Sequence, residues 1–172
     1  MDTPTISTRR LSLRPLSKST PRQIGWLTDP DVVRYSEQRH ALHNLKSQLR
    51  YVDSFSGKSH LWGIHVVATG EHIGNLSAVH DPNNDVSDVG ILIGEKKCWK
   101  LGMGLDAWSG VCDWLLDPLC GNIRKLEAGC MRDNVAMMKI LAGTRFKLEG
   151  ERTNHFLLDG RPVGMVLFGR HR

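Results

Sequence analysis

The chain has 172 residues, of which 40% are hydrophobic and 24% are charged. This length and this balance are those of a folded domain, and they exclude a disordered, collagen-like or coiled-coil protein. The net charge of +5 and the pI near 9.2 suit an anionic ligand, although the basic residues are scattered. No apolar run is long enough to span a membrane and the N-terminal segment has no apolar signal core, so we expect a cytoplasmic protein.

Apolar residues alternate or recur at helical spacing along the chain, and turn residues separate the resulting elements. The predicted strands cover residues 6–15, 61–68, 72–80, 86–93, 123–131, 145–158 and 162–169. The predicted helices cover residues 22–27, 42–55 and 103–116, with a fourth that begins at Asp133 or Asn134. Ser19 or Thr20, followed by Pro21, is the expected start of the first helix. This order predicts one α/β domain over residues 1–172, with helices on the faces of a mixed sheet.

The four cysteines form neither a C-x-x-C pair nor a metal-ligand spacing with the histidines. They are Cys98, Cys112, Cys120 and Cys130. We therefore expect free thiols in a reducing compartment and no metal site.

A glycine-containing segment, residues 99–107, joins a predicted strand to a predicted helix. Backbone N–H groups at a helix start bind anions, and Gly102 and Gly104 would let a phosphate approach closely. A plain turn could use the same glycines. The segment also fits the dinucleotide pattern G-x-G-x-x-A, with Glu127 as an acid that could bind a ribose. Against that alternative, the glycines do not directly follow the strand, and too little chain remains for the second half of such a fold.

Five short motifs occur along the chain in a fixed order. They are T-R-R-L-S-L-R at 8–14, the glycine loop at 99–104, I-R-K-L-E-A at 123–128, N-V-A-M at 134–137 leading to F-K-L-E-G at 146–150, and the D-G turn at 159–160 followed by V-L-F-G at 166–169. Together they resemble the GNAT N-acetyltransferases, and within them the branch of the ribosomal-protein alanine and serine N-acetyltransferases. The resemblance covers almost the whole chain. It implies a GNAT fold, with a mixed, mostly antiparallel sheet of about seven strands flanked by about four helices.

Four positions depart from the family pattern. Trp99 stands where Arg or Gln is usual, Arg145 where a glycine is usual, and Gly164 where an aspartate is common. Met137 stands where this branch often has a hydroxyl residue that is thought to return a proton to the leaving thiolate. Methionine has no proton to give. Another group or water would then serve, or the substrate differs.

The resemblance implies transfer of acetyl from acetyl-CoA to a primary amine, without a metal. The pyrophosphate would lie on backbone N–H groups at the start of the third helix, with Lys100 as a supporting cation. The pantetheine arm would run beside the strand at 86–93, where an N–H near Leu92 or Ile93 would polarise the thioester carbonyl. Asn134 would form a hydrogen bond with the CoA arm. The implied cofactor-binding residues are Leu92, Ile93, Trp99, Lys100, Leu101, Gly102, Met103, Gly104, Leu105 and Asn134.

The acceptor amine must be neutral to attack a thioester. An α-amine with a pKa near 8 is about one-tenth neutral at pH 7, whereas a lysine with a pKa of ~10.4 is almost wholly charged. Asp88, at a strand position that is often acidic in this branch, is the expected general base, directly or through water. Glu37 and His72 are weaker candidates. The loop between the first two helices borders the acceptor cleft in this fold, so Tyr35, Ser36 and Glu37 are the expected substrate contacts.

Several alternatives stay open at the level of the sequence. Met137 and the polar loop favour a small-molecule amine, such as an amino sugar, over a peptide or protein N-terminal amine. A non-catalytic acyl-CoA-binding module would keep the glycine loop without the chemistry. A nucleic-acid-binding protein would have salt-dependent affinity, but only the pI supports it. We expect neither nucleic-acid nor membrane partners, and a monomer or a homodimer.

Overall fold

A computed structural model describes residues 3–18 and 20–172. The strands are β1 (Ile6–Ser7), β2 (Leu11–Pro15), β3 (His60–Val66), β4 (His72–Asp81), β5 (Val86–Ile93), β6 (Lys125–Met131), β7 (Lys147–Leu158) and β8 (Arg161–His171). The helices are α1 (Pro21–Thr28), α2 (Leu45–Asp53), α3 (Met103–Leu116) and α4 (Val135–Gly143), with short 3-10 helices at Glu37–His40 and Lys96–Cys98. Ser19, one of the two residues expected to start α1, lies outside the described residues.

The strands form one sheet in the order β1-β2-β3-β4-β5-β6-β8-β7. Neighbouring strands run antiparallel except β5 and β6, which are parallel. This confirms the expected mixed, mostly antiparallel sheet with four helices. A dinucleotide-binding fold would need a largely parallel sheet, so the alternative interpretation of the glycine loop is wrong.

The strand expected over residues 6–15 is in fact a small hairpin. Thr8 donates its N–H to the carbonyl of Leu11 at 2.9 Å, and Leu11 donates its N–H to Oγ1 of Thr8 at 3.0 Å. A threonine side chain that bonds to nearby backbone competes with the extended ladder. The chain therefore turns back on itself, and the turn accounts for the eighth strand.

One face of the sheet packs against α3. Trp62 from β3 and Trp108 from α3 are both fully buried, as is Leu115 two turns further along the helix. Burial of side chains of this size contributes roughly 1.5–3 kcal/mol each. This packing fixes the N-terminus of α3 close to the C-terminal end of β5.

Helix α1 covers part of the opposite face. Thr20 caps it through a reciprocal pair of hydrogen bonds with Gln23, and Pro21 takes the first helical position, as the sequence predicts. Trp26 packs edge-on against His72 of β4, with ring centroids 5.1 Å apart. The cap and the indole together hold α1 over β4.

Helix α2 is shorter than the helix expected over residues 42–55. Asn44 accepts the N–H of Ser47 and starts the helix after it, because the asparagine side chain satisfies a first-turn amide. Leu42, expected on the apolar face, lies before the cap and is 92% exposed. The apolar spacing correctly predicted a helix here, but the Asn44 cap decides where the helix begins.

Strands β5 and β6 pair at their starts and then separate. The parallel pairing joins Val86, Ser87 and Asp88 to Lys125, Leu126 and Glu127. Beyond these residues, β5 continues in register with β4, and β6 continues in register with β8. Within the described ranges no pairing joins the two strands past this point. The sheet therefore has an opening between β5 and β6.

Candidate active site

The edge of β5 that faces the opening presents backbone amides. Successive residues of a strand direct their N–H and C=O groups toward opposite edges. Gly94, directly after β5, donates its N–H to Ile73 at 2.9 Å, on the β4 side. Leu92, two residues earlier in an uninterrupted register, therefore also points toward β4. Ile93 and Ile91 point toward the opening, so Ile93 fits the predicted amide donor and Leu92 does not.

Trp99 braces the end of this edge. Its indole N–H donates to the carbonyl of Ile93 at 2.8 Å, while the residue stays 36% exposed. The bond ties the end of β5 to the start of the glycine loop. Trp99 therefore lies beside the opening and holds the end of β5, and its exposed surface is available to a ligand.

The glycine loop ends at the N-terminus of α3. Lys100 and Gly102 have positive φ angles of 61° and 74°, and Gly102 is the residue that precedes the helix. Asp106 donates the first α-helical N–H, to the carbonyl of Gly102 at 3.1 Å. The amides before it in the first turn have no acceptor within the helix. Amides of this kind, together with the helix dipole, are able to bind an anion, and we call them the candidate anion site.

Gly104 lies in the first turn of α3, where the helix meets β5 and α4. A Cβ at this position would lie 3.2 Å from Cδ1 of Ile140 and 3.6 Å from Cγ1 of Ile93. A larger side chain would push these neighbours apart or project toward the anion site. The missing side chain keeps the start of α3 close to the opening.

The carbonyls of the loop are held by Arg10, which the sequence analysis did not single out. Arg10 donates from Nη1 to the carbonyl of Leu101 and from Nη2 to the carbonyl of Gly102, both at 2.9 Å. Its Nε lies 3.4 Å from Oδ2 of Asp106. Arg10 and Leu101 are 91 residues apart in the chain, so spacing alone could not reveal the contact.

Asp88 lies where the β5–β6 pairing ends, opposite Glu127. Both line a groove of about 580 Å³ over the paired starts of β5 and β6. Asp88 is an exposed residue of β5, but the surrounding sheet removes part of the water around its carboxyl group. This desolvation raises the pKa of Asp88, and the negative charge of Glu127 raises it further. Lys125 pairs with Glu127 at 2.9 Å and with Glu149 at 2.8 Å, so its charge is engaged there. A carboxylate with a raised pKa in a groove has the properties of a general base.

A family model for an acetyltransferase (GNAT) domain matches residues 10–147 of this sequence. The chain belongs to the GNAT acetyltransferase family. It is accordingly an acetyl-CoA-dependent acetyltransferase with the expected fold. A comparison with curated proteins finds no match.

Solved GNAT structures share this fold at low sequence identity. RimL, a ribosomal alpha-N-protein acetyltransferase in complex with coenzyme A, is 17% identical with a TM-score of 0.83, over 98% of both chains. The microcin self-immunity acetyltransferase MccE, in complex with acetyl-CoA and AMP, is 15% identical with a TM-score of 0.79, over 96% of this chain and 94% of its own. A GNAT-family acetyltransferase from Bacillus anthracis is 12% identical with a TM-score of 0.78, over 98% of both chains. The ribosomal-protein branch named from the motifs is thus among the structural neighbours.

Asn134 of this GNAT chain caps α4 on the β6 side of the opening. Its N–H donates to the carbonyl of Met131 at 2.9 Å, and its Oδ1 accepts the N–H of Met137 at 3.1 Å. The side-chain NH₂ group is the part of Asn134 that can still donate to a ligand. Met137 packs against the core and carries no hydroxyl group.

The loop predicted to contact the acceptor meets the β7–β8 hairpin. Tyr35 packs against Met131, the last residue of β6, together with side chains of the hairpin. Ser36 caps the 3-10 helix that follows, and Glu37 pairs with Arg39 at 2.9 Å. Tyr35 lies at the C-terminal end of β6, whereas Ser36 and Glu37 have partners within the loop. Their contact with a substrate stays a prediction.

His72, the other weak base candidate, is a packed residue of the GNAT sheet. It stacks on His65 with ring centroids 4.7 Å apart, and its Nε2 lies 2.9 Å from the carbonyl of Gly74. Burial lowers its pKa. Because Gly74 pairs with Ile93, His72 lies beyond the end of β5 and away from the groove of Asp88.

The four cysteines of this GNAT domain are free thiols, and only Cys120 is exposed. Burial raises the pKa of the Cys130 thiol to about 11. In the described residues, no group of three or more His, Cys, Asp or Glu side chains could hold a metal ion. Across the same part of the chain, no helix combines the length and the apolar character needed to cross a membrane.

Proposed function

We propose that this GNAT protein acetylates the nitrogen of a neutral primary amine, at a site between β5 and β6. The observation that carries the proposal is the opening itself, because its β5 edge ends in space beside the start of α3, where a Cβ on Gly104 would lie 3.6 Å from Ile93. An extended ligand with amide groups can pair with such an edge as an added strand. A pyrophosphate suits the helix N-terminus.

The residues around the opening fit acetyl-CoA. The amides of Met103, Gly104 and Leu105 would hold the pyrophosphate, with Lys100 in the preceding loop as a cation. The N–H groups of Ile91 and Ile93 would hold the part of the ligand that lies in the opening. Acetyl-CoA supplies the acetyl group as a thioester. What the chain adds is a fixed N–H donor, aimed where negative charge would develop on the carbonyl oxygen.

Asp88 is the group to which we assign the proton of the amine. It lies at the point where the paired part of β5 gives way to the open edge, and its carboxyl group faces the groove. A base accepts a proton more readily as its pKa rises, and both desolvation and Glu127 act in that direction. The transfer would run directly or through one water molecule.

The proposed acceptor is an amine with a pKa near 8, because about one-tenth of it is already neutral at pH 7. Peptide N-terminal amines and amino sugars both meet this requirement. The fold shared with RimL supports a peptide N-terminus. Two features favour a small molecule. Met137 lacks the hydroxyl group of the ribosomal-protein branch, and an ion pair of Arg34 with Asp159 at 2.6 Å joins the acceptor loop to the β7–β8 hairpin.

The setting of the reaction follows from the same residues. The proposal holds for a monomer or a homodimer, since the groups assigned to the site come from β5 and α3 of the same chain. The free thiols support a cytoplasmic location. The basic net charge supports attraction of an anionic cosubstrate rather than a nucleic acid.

A mass-spectrometric transfer assay tests the proposal. Purified protein is incubated with acetyl-CoA and a panel of N-terminal peptides and amino sugars, and with the same compounds after removal of acetyl-CoA. We expect acetylated product from at least one class of amine, and less of it from the Asp88→Asn variant. Binding of acetyl-CoA without product from any amine would instead support the non-catalytic acyl-CoA-binding module.

A further inference from the structure

The amides at the start of α3 can act as an anion site only if the loop before them is held in the right orientation. We infer that Arg10 is a positioning residue for this loop: it fixes two loop carbonyls and thereby aims the amides at the cosubstrate. The inference rests on the proposed acetyl-CoA site. It concerns a residue of the N-terminal hairpin that lies outside the opening.

The contacts show how Arg10 controls the amides. In a planar trans peptide, the C=O and the following N–H point in opposite directions. Arg10 donates to the carbonyls of Leu101 and Gly102, both at 2.9 Å. The N–H groups of Gly102 and Met103, which belong to the same two peptide units, are therefore turned away from Arg10. The carbonyl of Gly102 also accepts the N–H of Asp106 at 3.1 Å, so Arg10 and α3 hold the second of these peptide units together.

The same cluster neutralises an acidic residue next to the anion site. Asp106, in the first turn of α3, accepts from Oγ1 of Thr8 at 2.9 Å, and its Oδ2 lies 3.4 Å from Nε of Arg10. An unpaired carboxylate in this turn would compete with an anionic ligand for the helix N-terminus. Arg10 and Thr8 hold it on the far side of the loop.

Arginine and lysine differ in this position. A guanidinium group is a planar fork with several N–H donors, whereas an ammonium group is a point charge on a flexible stem. The fork of Arg10 reaches two consecutive carbonyls and a carboxylate at once. A lysine could pair with one of them but would not fix both peptide units.

A set of three variants separates positioning from simple charge attraction. Arg10→Gln removes the fork, Arg10→Lys keeps the charge, and Arg9→Gln removes the same charge from the exposed neighbouring residue. Because misplaced binding groups cost binding and orientation, we expect Arg10→Gln to raise KM for acetyl-CoA roughly tenfold or more while KM for the amine stays unchanged. Arg10→Lys should stay close to Arg10→Gln, and Arg9→Gln close to wild type.

Two results would overturn the inference while leaving the proposed function intact. One is a wild-type KM for acetyl-CoA in Arg10→Gln. The other is an equal rise in Arg9→Gln, or recovery in Arg10→Lys, because both would mean that charge alone matters. Failure of the wild-type protein to bind acetyl-CoA would remove the proposed function, and with it the cosubstrate site that Arg10 is inferred to serve.

A readout without ligand tests the orientation itself. Hydrogen–deuterium exchange of the peptide covering residues 99–106 should be faster in Arg10→Gln than in Arg9→Gln. Peptides from the β3–β4 core should exchange alike in both variants, which shows that the fold is intact. Unchanged exchange in residues 99–106 would contradict the positioning role, whatever the kinetics.

Discussion

Asp88 is the residue proposed to accept the proton of the amine. Asparagine keeps its shape but cannot accept a proton, so we expect Asp88→Asn to lower kcat by about 10²–10⁴-fold. A base works only when ionised, so wild-type activity should fall as the pH drops through the raised pKa of Asp88. The variant should lack this acid limb. Steady-state rates across the acidic and neutral range check both points, and an unchanged profile would remove Asp88 from the mechanism.

Glu127 influences the pH at which the activity falls on the acid side of the profile. Its negative charge helps to raise the pKa of Asp88, so Glu127→Gln should lower this pKa and move the acid limb to lower pH. Glu149→Gln is the matched control, because Glu149 also pairs with Lys125 at 2.8 Å but is not one of the charges that raise the pKa of Asp88. A limb that stays in place in Glu127→Gln, or moves equally in both variants, would show that the titrating group is not Asp88.

Residues of the site differ in how far the sequence could find them. Asp88 and Asn134 stand at positions that the family resemblance marks, and the structure places both beside the opening. Arg10 could not be found, because its partners are remote in the chain and its role depends on which way two carbonyls point. The sequence offers Leu92 and Ile93 equally as the amide donor, because it does not show which edge of a strand each amide faces.

The N-terminus of α3 is the element that the account assigns to the pyrophosphate. Gly104→Glu adds bulk against Ile140 and a negative charge beside the anion site, so we expect it to weaken acetyl-CoA binding by at least tenfold, which is roughly 1.4 kcal/mol. Gly25→Glu is the control, since a side chain at Gly25 on α1 would meet no neighbouring atom. Calorimetry should show the weaker binding in the first variant only. Equal affinities in both variants would move the ligand away from α3.

Element types followed from the sequence more reliably than element ends. The predicted elements β3 to β6, β8, α3 and α4 are confirmed, and each of them contributes side chains to the core. Strand β7 is confirmed as well, although most of its residues are exposed and it is held by pairing with β8. The ends of the elements depend on local hydrogen bonds, which the apolar pattern of the sequence does not show. Thr8 turned one expected strand into a hairpin, and Asn44 moved the start of α2 past Leu42.

At the scale of the whole molecule, the site is a consequence of how the sheet divides. Strands β1 to β5 and strands β6, β8 and β7 form two parts that share one short parallel pairing. The opening exposes backbone groups that an ordinary sheet would pair, and helices on the faces leave it accessible. The motifs predicted the family and a strand at 86–93 with a free edge, but not where the sheet divides. Composition alone could not do so either, because the opening depends on where one pairing stops.

The proposed function requires acetyl-CoA to bind between β5 and β6, and calorimetric titration of the intact protein tests this most directly. Acetyl-CoA should bind in a one-to-one isotherm, and NAD, which shares the adenine and pyrophosphate but lacks the pantetheine thioester, should give no heat of binding. Failure of acetyl-CoA to bind, or equal binding of NAD, would mean that the opening between β5 and β6 and the start of α3 do not form the acetyl-CoA site.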